Sequence, residues 1–240
     1  MIDCQQLICY AADYGVDVSR ETAERLDRFA TLLLEWNQKL NLTAITDPQG
    51  VLIKHLLDSL TAAPYLPQGP FSLLDVGSGA GFPGIPLAIL RPDAKVTLLE
   101  SLQKKAKYLE QVCADLGLSV TVLNTRAELA GKDAAFRETF DVVTARAVAA
   151  LPTLCEYCLP LVKVGGRFLA MKGPDGEAEA QQAAKALAVL GAGRVQTHTL
   201  QLPARPCPEQ AVRKLLVIEK KSATSDKYPR ASAKISKQPL

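Results

Sequence analysis

The residues with the clearest potential for chemistry lie between 72 and 100, in the stretch SLLDVGSGAGFPGIPLAILRPDAKVTLLE. Glycines follow an apolar run typical of a buried strand, and a carboxylate lies near the end of this strand and of the next. These residues are Asp75, Gly77, Gly79, Gly81 and Glu100. Glycine lets the backbone turn sharply and brings amide groups close to a ligand, and Glu100 stands where a ribose-hydroxyl acceptor belongs. The pattern predicts one half of a nucleotide-binding sheet.

Two ligand classes fit this pattern. The spacing Gly79-x-Gly81-x-x-Gly84 satisfies a dinucleotide fingerprint, so a nicotinamide-dependent oxidoreductase stays an alternative. The run from Asp75 through the alternating glycines resembles the first motif of class I S-adenosylmethionine-dependent methyltransferases. A carboxylate at Asp75 would repel a pyrophosphate but attract a sulfonium and an ammonium group. Pro83 also removes an amide where a pyrophosphate needs one, so the methyltransferase interpretation is favoured.

Composition indicates a globular protein without a membrane span. The chain has 240 residues, 48% of them hydrophobic and 22% charged, which is ordinary for a well-cored domain with a smaller lobe. No apolar run approaches the roughly 18 residues that a spanning helix needs. The first 15 residues are neither basic nor apolar enough for a signal peptide, so we expect a cytoplasmic protein.

The six cysteines do not form a recognisable disulfide or metal pattern. Cys155 and Cys158 make a C-x-x-C, but no second Cys/His pair lies nearby in the sequence. A zinc site or a redox pair is the alternative to buried thiols on an apolar helix, and buried thiols are the favoured interpretation. We expect no metal ligands.

Charge is concentrated at the carboxyl end. The net charge is +3, and residues 220–240 hold six Lys/Arg against one Asp, which leaves this segment at +5 and the rest of the chain at −2. A near-neutral body with a basic tail predicts a polyanionic partner, most simply a nucleic acid. A disordered, solubilising tail is the alternative.

The order of predicted elements indicates an α/β protein of three parts: an N-terminal helical cap (1–65), a methyltransferase domain (66–221) and a basic C-terminal tail (222–240). In the cap, Ser19 is a predicted N-cap, and a second helix is expected over 49–63. The sheet should be mostly parallel and seven-stranded with an antiparallel edge, as in the Rossmann-like class I methyltransferase layout. The predicted strands are 73–76, 96–99, 120–123, 140–146, 167–173, 194–202 and 212–219, and the predicted intervening helices are 85–90, 102–116, 152–162 and 177–190.

Several separate stretches, from about residue 35 to the C-terminus, resemble one family. They are WNQKLNLTAI, HLLDSL, LLDVGSGAGFPGIPLAI, TLLESLQKKAKYL, TRAE, FDVVTARAVA, MKG and KYPRASAKISKQPL. The chain is similar in these to the bacterial ribosomal RNA small subunit methyltransferase G family, also called glucose-inhibited division protein B. The resemblance implies methylation of a guanine N7 in small-subunit (16S) rRNA, with S-adenosylmethionine as donor. The chain departs from the family in the tail, where Ala233, Lys234 and Ile235 occupy the stretch in which the family often has glycine and prolines.

The resemblance places cofactor positions on Gly77, Phe82, the Ala127-Glu128 pair and Arg146. Together with the strand-end argument it assigns Asp75 and the 77–81 turn, including Gly79, to the methionine part, Glu100 to the ribose and Ala127-Glu128 to the adenine. Phe82 either packs beside the cofactor or is a core aromatic under the turn, and Arg146 contacts either cofactor or RNA.

The remaining expectations concern the substrate. Candidate phosphate contacts are Lys104, Lys105, Arg126, Lys172 and Arg213. Guanine N7 carries a lone pair and no proton, so no catalytic base is expected. The expected partner is small-subunit rRNA or the small ribosomal subunit, and the chain is expected to be a monomer. A non-catalytic RNA-binding protein that keeps the methyltransferase fold is a further alternative.

Overall fold

The computed structural model describes residues 2–203 and 211–240, and within them a single seven-stranded sheet. The strand order is β3-β2-β1-β4-β5-β7-β6. The pairs β2–β3, β1–β4 and β4–β5 are parallel, whereas β7 is antiparallel to both β5 and β6. The strands are β1 (Ser72–Val76), β2 (Lys95–Leu99), β3 (Val120–Leu123), β4 (Phe140–Arg146), β5 (Val162–Lys172), β6 (Ala192–Gln201) and β7 (Val212–Lys220). The predicted fold class is confirmed.

The predicted helices occur in the predicted order but differ in form at three places, and two further short helices, Ala127–Ala130 and Ser232–Lys237, lie where none is predicted. The helices are α1 (Cys4–Ala12), α2 (Arg20–Asn37), α3 (Pro48–Gly50), α4 (Asp58–Leu60), α5 (Gly84–Leu90), α6 (Gln103–Asp115), α7 (Ala127–Ala130), α8 (Leu151–Cys158), α9 (Gly176–Gln182), α10 (Ala184–Val189) and α11 (Ser232–Lys237). A π-helix, Val51–Leu57, joins α3 to α4. The single helix predicted over 177–190 is broken at Ala183, and the helix predicted over 152–162 ends in a short 3₁₀ turn, Leu159–Leu161.

The chain divides into two compact units: unit 1 is Met1–Phe71 with Ser78–Asn124, and unit 2 is Ser72–Gly77 with Thr125–Leu240. In unit 1, the Ser19 hydroxyl accepts a hydrogen bond from the Thr22 amide at 3.1 Å, which confirms the predicted N-cap of α2. Leu26, Phe29 and Leu33 follow at three- and four-residue spacing and are fully buried. An amphipathic stripe therefore builds the core of this helical lobe.

In unit 2, β5 and β7 form an antiparallel pair whose side chains contribute to the core. Phe168 lies opposite Ile218 and Ala170 opposite Leu216 in the antiparallel register, and all four side chains are fully buried. The strand β5 starts at Val162, five residues before the predicted strand, because residues 163–166 form an irregularity in its pairing with β4. The Gly165-Gly166 pair lies within the strand, not in a turn that precedes it.

The C-terminal segment packs within unit 2. Arg230 forms a two-pronged ion pair with Glu156, at 2.6 Å for the closest atoms, and Ile235 of α11 is fully buried. Arg137 donates to the backbone carbonyls of Gly131, Thr224 and Tyr228. Two of the six basic residues counted in the sequence, Lys220 and Arg230, are thus compensated internally, and the exposed ones are Lys221, Lys227, Lys234 and Lys237.

Within residues 2–203 and 211–240, no helix combines the length and the hydropathy that crossing a membrane requires.

Candidate functional site

In unit 1, the carboxylate of Glu100 ties the glycine-rich turn to the end of β2. One oxygen accepts the Gly79 amide at 3.0 Å, and the other accepts the Leu102 amide at 2.8 Å. The side chain is buried, and the residue has 5% of its surface exposed. Each carboxylate oxygen still has a second lone pair, so the group retains acceptor capacity for a ligand hydroxyl. Glu100 is therefore placed at the turn, as the spacing predicts.

Asn124, whose place after a predicted strand predicts that it faces a ligand, joins the end of β3 to the same point. The Asn124 side-chain amide donates to the Glu100 backbone carbonyl at 2.7 Å. The signal is present in the sequence, because Asn124 directly follows a predicted strand whose carboxyl end should face a ligand.

Gly81 lies where a side chain would not fit. Its φ is +96°, and a Cβ atom would lie 2.6 Å from Ile85 Cδ1 and 3.2 Å from Phe29 Cζ. The turn is therefore packed tightly onto α5 and α2, which fixes the path of the backbone around Gly81.

Phe82 is an aromatic of the core of unit 1. Its ring stacks on His55 at 4.6 Å between centroids and meets Phe29 at 5.1 Å, and only 4% of the residue is exposed. This is the packing expected of an aromatic under the turn, and the predicted contact with a cofactor stays a prediction.

A second aromatic pair supports the turn from α2 and α6. Trp36 meets Tyr108 edge to face at 5.7 Å, and the Tyr108 hydroxyl donates to the Ala80 carbonyl at 3.2 Å. Burial raises the pKa of the Tyr108 phenol, so the group stays protonated and keeps donating. Trp36 therefore packs within unit 1 as an anchor of the turn.

In unit 2, Asp75 lies inside the sheet. Its side chain is fully buried, and its Oδ1 accepts a hydrogen bond from the Thr144 hydroxyl of β4 at 3.0 Å. Burial raises the pKa of the Cys158 thiol well above its usual value, and electrostatic interaction with Cys155 and Asp75 raises it further. Asp75 thus occupies the strand end that the motif assigns to it, and its predicted contact with a methionine group stays a prediction.

The loop after β4 closes over Gly77. Gly77 has a φ of +71°, and a Cβ atom there would lie 2.7 Å from Val148 Cγ2. Val148 itself is 38% exposed, and the preceding Ala147 has a φ of +56°. Val148 could not be predicted from the sequence, because an apolar residue in a loop carries no chemical signal of its own.

Lys172, a predicted phosphate contact, holds this same loop. Its ammonium group donates to the Ala149 carbonyl at 2.8 Å and pairs with Glu179 at 2.7 Å. Glu179 in turn accepts the Leu151 amide at 2.7 Å. The lysine charge is therefore balanced within unit 2, and contact with a phosphate stays a prediction.

The predicted adenine-binding pair starts α7. Ala127 and Glu128 are each 8% exposed, and Arg126 precedes them in an extended conformation. The Arg126 guanidinium is mostly exposed and lies 3.9 Å from a Glu128 oxygen. Pro229 of the C-terminal segment packs against Gly131 at the end of α7, where a Cβ atom would be 2.9 Å from Pro229 Cγ.

The other predicted residues lie at strand and helix ends. Arg146 ends β4 and is half-buried, opposite Met171 in the register with β5. Lys104 is exposed and Lys105 half-buried in the first turns of α6. Arg213, half-buried near the start of β7, donates to the Val212 carbonyl at 3.0 Å. Their RNA contacts are not tested by this geometry and stay predictions.

The C-x-x-C thiols are buried on α8, which is the interpretation that the sequence favours over a zinc site or a redox pair. Cys155 and Cys158 are both fully buried, and burial raises the pKa of the Cys155 thiol to about 12. A thiol that stays protonated near neutral pH is a poor nucleophile. Cys207 lies outside the described residues.

Comparison with known proteins identifies a family. A family model described as rRNA small subunit methyltransferase G matches residues 22–207. A Staphylococcus epidermidis protein named "Ribosomal RNA small subunit methyltransferase G" is 45% identical over 231 residues, which cover 95% of this chain and 95% of the relative. These names favour the methyltransferase interpretation of the glycine-rich motif over the dinucleotide one.

Solved structures show the same fold. One described as "a predicted O-methyltransferase" of Agrobacterium tumefaciens has a TM-score of 0.54 at 21% identity and covers 70% of this chain and 81% of its own. Another, described as "M. jannaschii TYW2 in complex with AdoMet", has a TM-score of 0.50 at 15% identity and covers 73% of this chain and 77% of its own. At these identities the likeness establishes the class I methyltransferase fold alone.

Proposed function

We propose that this chain, which belongs to the rRNA small subunit methyltransferase G family, transfers a methyl group from S-adenosylmethionine to N7 of a guanine in small-subunit rRNA. The family match over nearly the whole chain is the observation that carries the proposal. The proposed product, an N7-methylguanine in rRNA, follows from this family match. The residues at the strand ends support the choice of S-adenosylmethionine as cofactor.

The residue types at the turn support S-adenosylmethionine as the cofactor on grounds of charge and hydrogen bonding. Asp75 and Glu100 are two buried carboxylates at strand ends, and the chain between them carries closely packed glycines. A cationic ligand with sugar hydroxyls suits such acceptors, whereas a pyrophosphate does not. When bound, the cofactor supplies an electrophilic methyl group on its sulfonium.

Each part of the proposed site has its own task. Asp75 and the 77–81 turn, including Gly77 and Gly79, hold the methionine part, and Glu100 accepts the ribose hydroxyls. Ala127 and Glu128 bind the adenine through backbone and side-chain acceptors. Phe82 supports the turn beside the cofactor, and Arg146 contacts the cofactor or the RNA at the end of β4.

The reaction needs alignment more than proton transfer. Guanine N7 has a free lone pair and no proton at neutral pH, so its attack is an in-line displacement without a general base. The protein has to hold N7, the methyl carbon and the sulfur in line and to stabilise the positive charge that the purine acquires. The buried, protonated thiols of Cys155 and Cys158 agree with this, because methylation at a pyrimidine C5 would need a cysteine nucleophile.

RNA binding is proposed to rest on backbone contacts. Lys104, Lys105, Arg126, Lys172 and Arg213 are the proposed phosphate contacts, and the internal ion pair of Lys172 makes it the one whose charge is most compensated. We place the protein as a monomer in the bacterial cytoplasm.

The decisive experiment measures transfer of labelled methyl groups from S-adenosylmethionine to naked small-subunit rRNA and to intact small subunits, with the product base identified after digestion. N7-methylguanine from either substrate is the expected result. No transfer to either, despite measurable cofactor binding, would overturn the rRNA assignment. Cofactor-dependent reduction, or a rise in melting temperature with NADH, would instead support the dinucleotide alternative.

A Glu100→Gln variant separates catalysis from a purely structural role on RNA. If the cellular function survives when cofactor binding is abolished, the chain acts as an RNA-binding protein with a methyltransferase fold.

A further inference from the structure

A cleft in unit 2 is lined by none of the predicted cofactor or phosphate contacts. It has a volume of about 640 Å³ and opens where β7 ends, β6 begins and β5 enters the sheet. It is lined by residues 165–167, 192–194 and 219–221. Arg167 lies five residues before Lys172 on β5, which corresponds to about 17 Å along the strand. The cleft is therefore at the opposite end of β5 from the end that carries Lys172.

The side chains around the cleft are mainly cationic. Arg167, Arg194 and Lys221 line it against one carboxylate, Glu219, which lies directly opposite Arg167 in the β5–β7 register. The Gln196 side-chain amide is oriented so that its oxygen and its nitrogen both have suitable partners. In this orientation the oxygen accepts a hydrogen bond from the Arg194 guanidinium at 3.0 Å. This partner orients the arginine without neutralising it.

Lys220 contributes backbone but little charge to the cleft. Its side chain is fully buried, its ammonium group pairs with Glu138 at 3.1 Å, and it donates to the Leu159 carbonyl at 2.7 Å. The charge of the cleft therefore comes from the other three cations, of which Arg194 and Lys221 are exposed.

Three glycines contribute only backbone to the lining of the cleft. Gly165, Gly166 and Gly193 line it, and at Gly165, with a φ of +87°, no atom lies within 4 Å of where a Cβ would be. The lining residues include neither an aromatic ring nor a large apolar side chain. Bases bind single-strand sites chiefly by stacking on such rings, so this lining offers no means of holding a base.

We propose that this cleft binds the sugar–phosphate backbone of the RNA substrate at a distance from the methylated base and without reading sequence. Guanidinium groups match phosphate oxygens in geometry and charge, and backbone contacts need cations and space without a stacking surface. The inference rests on the proposed function, because it takes the substrate to be rRNA. It adds a second anchoring surface to the contacts predicted at the strand ends.

The test is the double variant Arg194→Gln/Lys221→Gln, assayed by methyl transfer over a range of salt concentrations. We expect the KM for rRNA to rise roughly tenfold and the slope of log KM against log salt to fall by about one for each phosphate that the variant no longer binds. The kcat, the Kd for S-adenosylmethionine and the thermal midpoint should stay at wild-type values. Naked homopolymers of A and of U should compete equally well, since no base is read.

The matched control is Arg28→Gln/Lys185→Gln, which removes one exposed arginine and one exposed lysine outside the cleft. A cleft variant whose KM and salt slope equal those of this control would overturn the inference. The reverse variant, Glu219→Gln, should lower the KM two- to threefold, roughly the effect of removing one repelling charge. An unchanged or higher KM for Glu219→Gln would contradict the inference.

The two proposals fail in different ways. If the wild-type chain transfers no methyl group to rRNA, the proposed function fails, and the cleft is then tested by the RNA affinity of the same variants in fluorescence anisotropy. If the wild type methylates rRNA and the cleft variants match the control, only the cleft inference fails.

Discussion

Asp75 and Glu100 are both carboxylates at the end of a sheet strand, yet their surroundings differ. Glu100, in unit 1, accepts two backbone amides, one from the glycine-rich turn and one from the start of α6. Asp75, in unit 2, accepts the hydroxyl of Thr144 on the neighbouring strand and is fully buried. The first holds a loop in place, and the second is held inside the sheet.

The position of a carboxylate at a strand end therefore does not define its task without knowledge of its partners. Removal of Glu100 leaves two amides without their acceptor, so it should disturb the turn as well as a ligand. A neutral side chain with an oxygen at position 75 can still accept the hydrogen bond from Thr144. The effect of the Asp75 charge on a ligand can therefore be separated from its effect on stability.

The largest effect is expected from Glu100→Ala. Each orphaned amide costs about 1–3 kcal/mol, and the proposed ribose acceptor is removed as well, so the Kd for S-adenosylmethionine should rise at least about 100-fold. Isothermal titration calorimetry measures this. Glu110→Ala, an exposed position on the same α6, is the control and should bind like wild type. A Glu100→Ala Kd within about threefold of wild type would show that the turn does not depend on this carboxylate.

Gly77→Ala probes the turn next to Asp75. The new methyl group meets Val148 at 2.7 Å with φ at +71°, so the free energy of unfolding in urea should fall by about 1–3 kcal/mol. Gly117→Ala is the matched control, since Gly117 has a φ of +61° and nothing within 4 Å of its Cβ position. The excess over this control measures the Val148 contact, and adding Val148→Ala should recover that excess. Equal destabilisation at both glycines would mean that the loop after β4 moves to accommodate the new methyl group without a cost in free energy.

The pair Asp75→Asn and Thr144→Val separates ligand binding from sheet stability. Asp75→Asn keeps an oxygen for Thr144 but removes the charge, so the Kd for S-adenosylmethionine should rise about tenfold with little change in unfolding free energy. Thr144→Val should lower the unfolding free energy by about 1–2 kcal/mol and leave the Kd unchanged. If Asp75→Asn binds the cofactor like wild type, Asp75 serves only the sheet.

Asp141 is a third carboxylate, and in contrast to Glu100 and Asp75 its expected role is purely structural. Burial raises the pKa of Asp141, but hydrogen bonds from Lys163 and from the Ser72 amide and hydroxyl outweigh this and lower the pKa to about 2. Because the pKa of an aspartate in the unfolded chain is about 3.9, the stabilisation by Asp141 is complete above that pH and disappears as the pH falls toward 2.

The smallest effect is accordingly expected from Asp141→Asn. The unfolding free energy at pH 7 should fall by about 1 kcal/mol, discounted for partial exposure, and its decline between about pH 4 and pH 2 should become shallower. Denaturant unfolding across this range measures both. The exposed Asp17→Asn is the control. Cofactor affinity at pH 7 should be unaffected, and weaker binding would place Asp141 in the binding machinery.

Much of the fold could be predicted because its signals are local. The strands β3 and β4 have the predicted bounds, since short apolar runs between polar turns specify strands without reference to distant residues. The start of β5 could not be predicted, because Gly165-Gly166 is typical of a turn in the sequence and becomes a strand irregularity only through pairing with β4. The break at Ala183 could not be predicted either, because it falls in an alanine-rich run that favours an unbroken helix.

The site divides in the same way. The positions of Glu100 and Asp75 at strand ends followed from spacing, whereas the partners that distinguish them did not. No local signal shows that Lys172 holds the loop after β4 or that Val148, within this loop, covers Gly77, because these residues are brought together by parallel pairing of strands.

The class of fold, the glycine-rich turn and the strand ends at which chemistry should occur follow from local residue patterns, because glycine, proline and hydrophobic periodicity act over a few residues. Tertiary structure alone decided which carboxylate meets an amide and which a hydroxyl, and which cations are compensated. Asp75 and Thr144 are 69 residues apart in the chain. Contacts over such separations depend on how the sheet assembles, which local residue patterns do not encode.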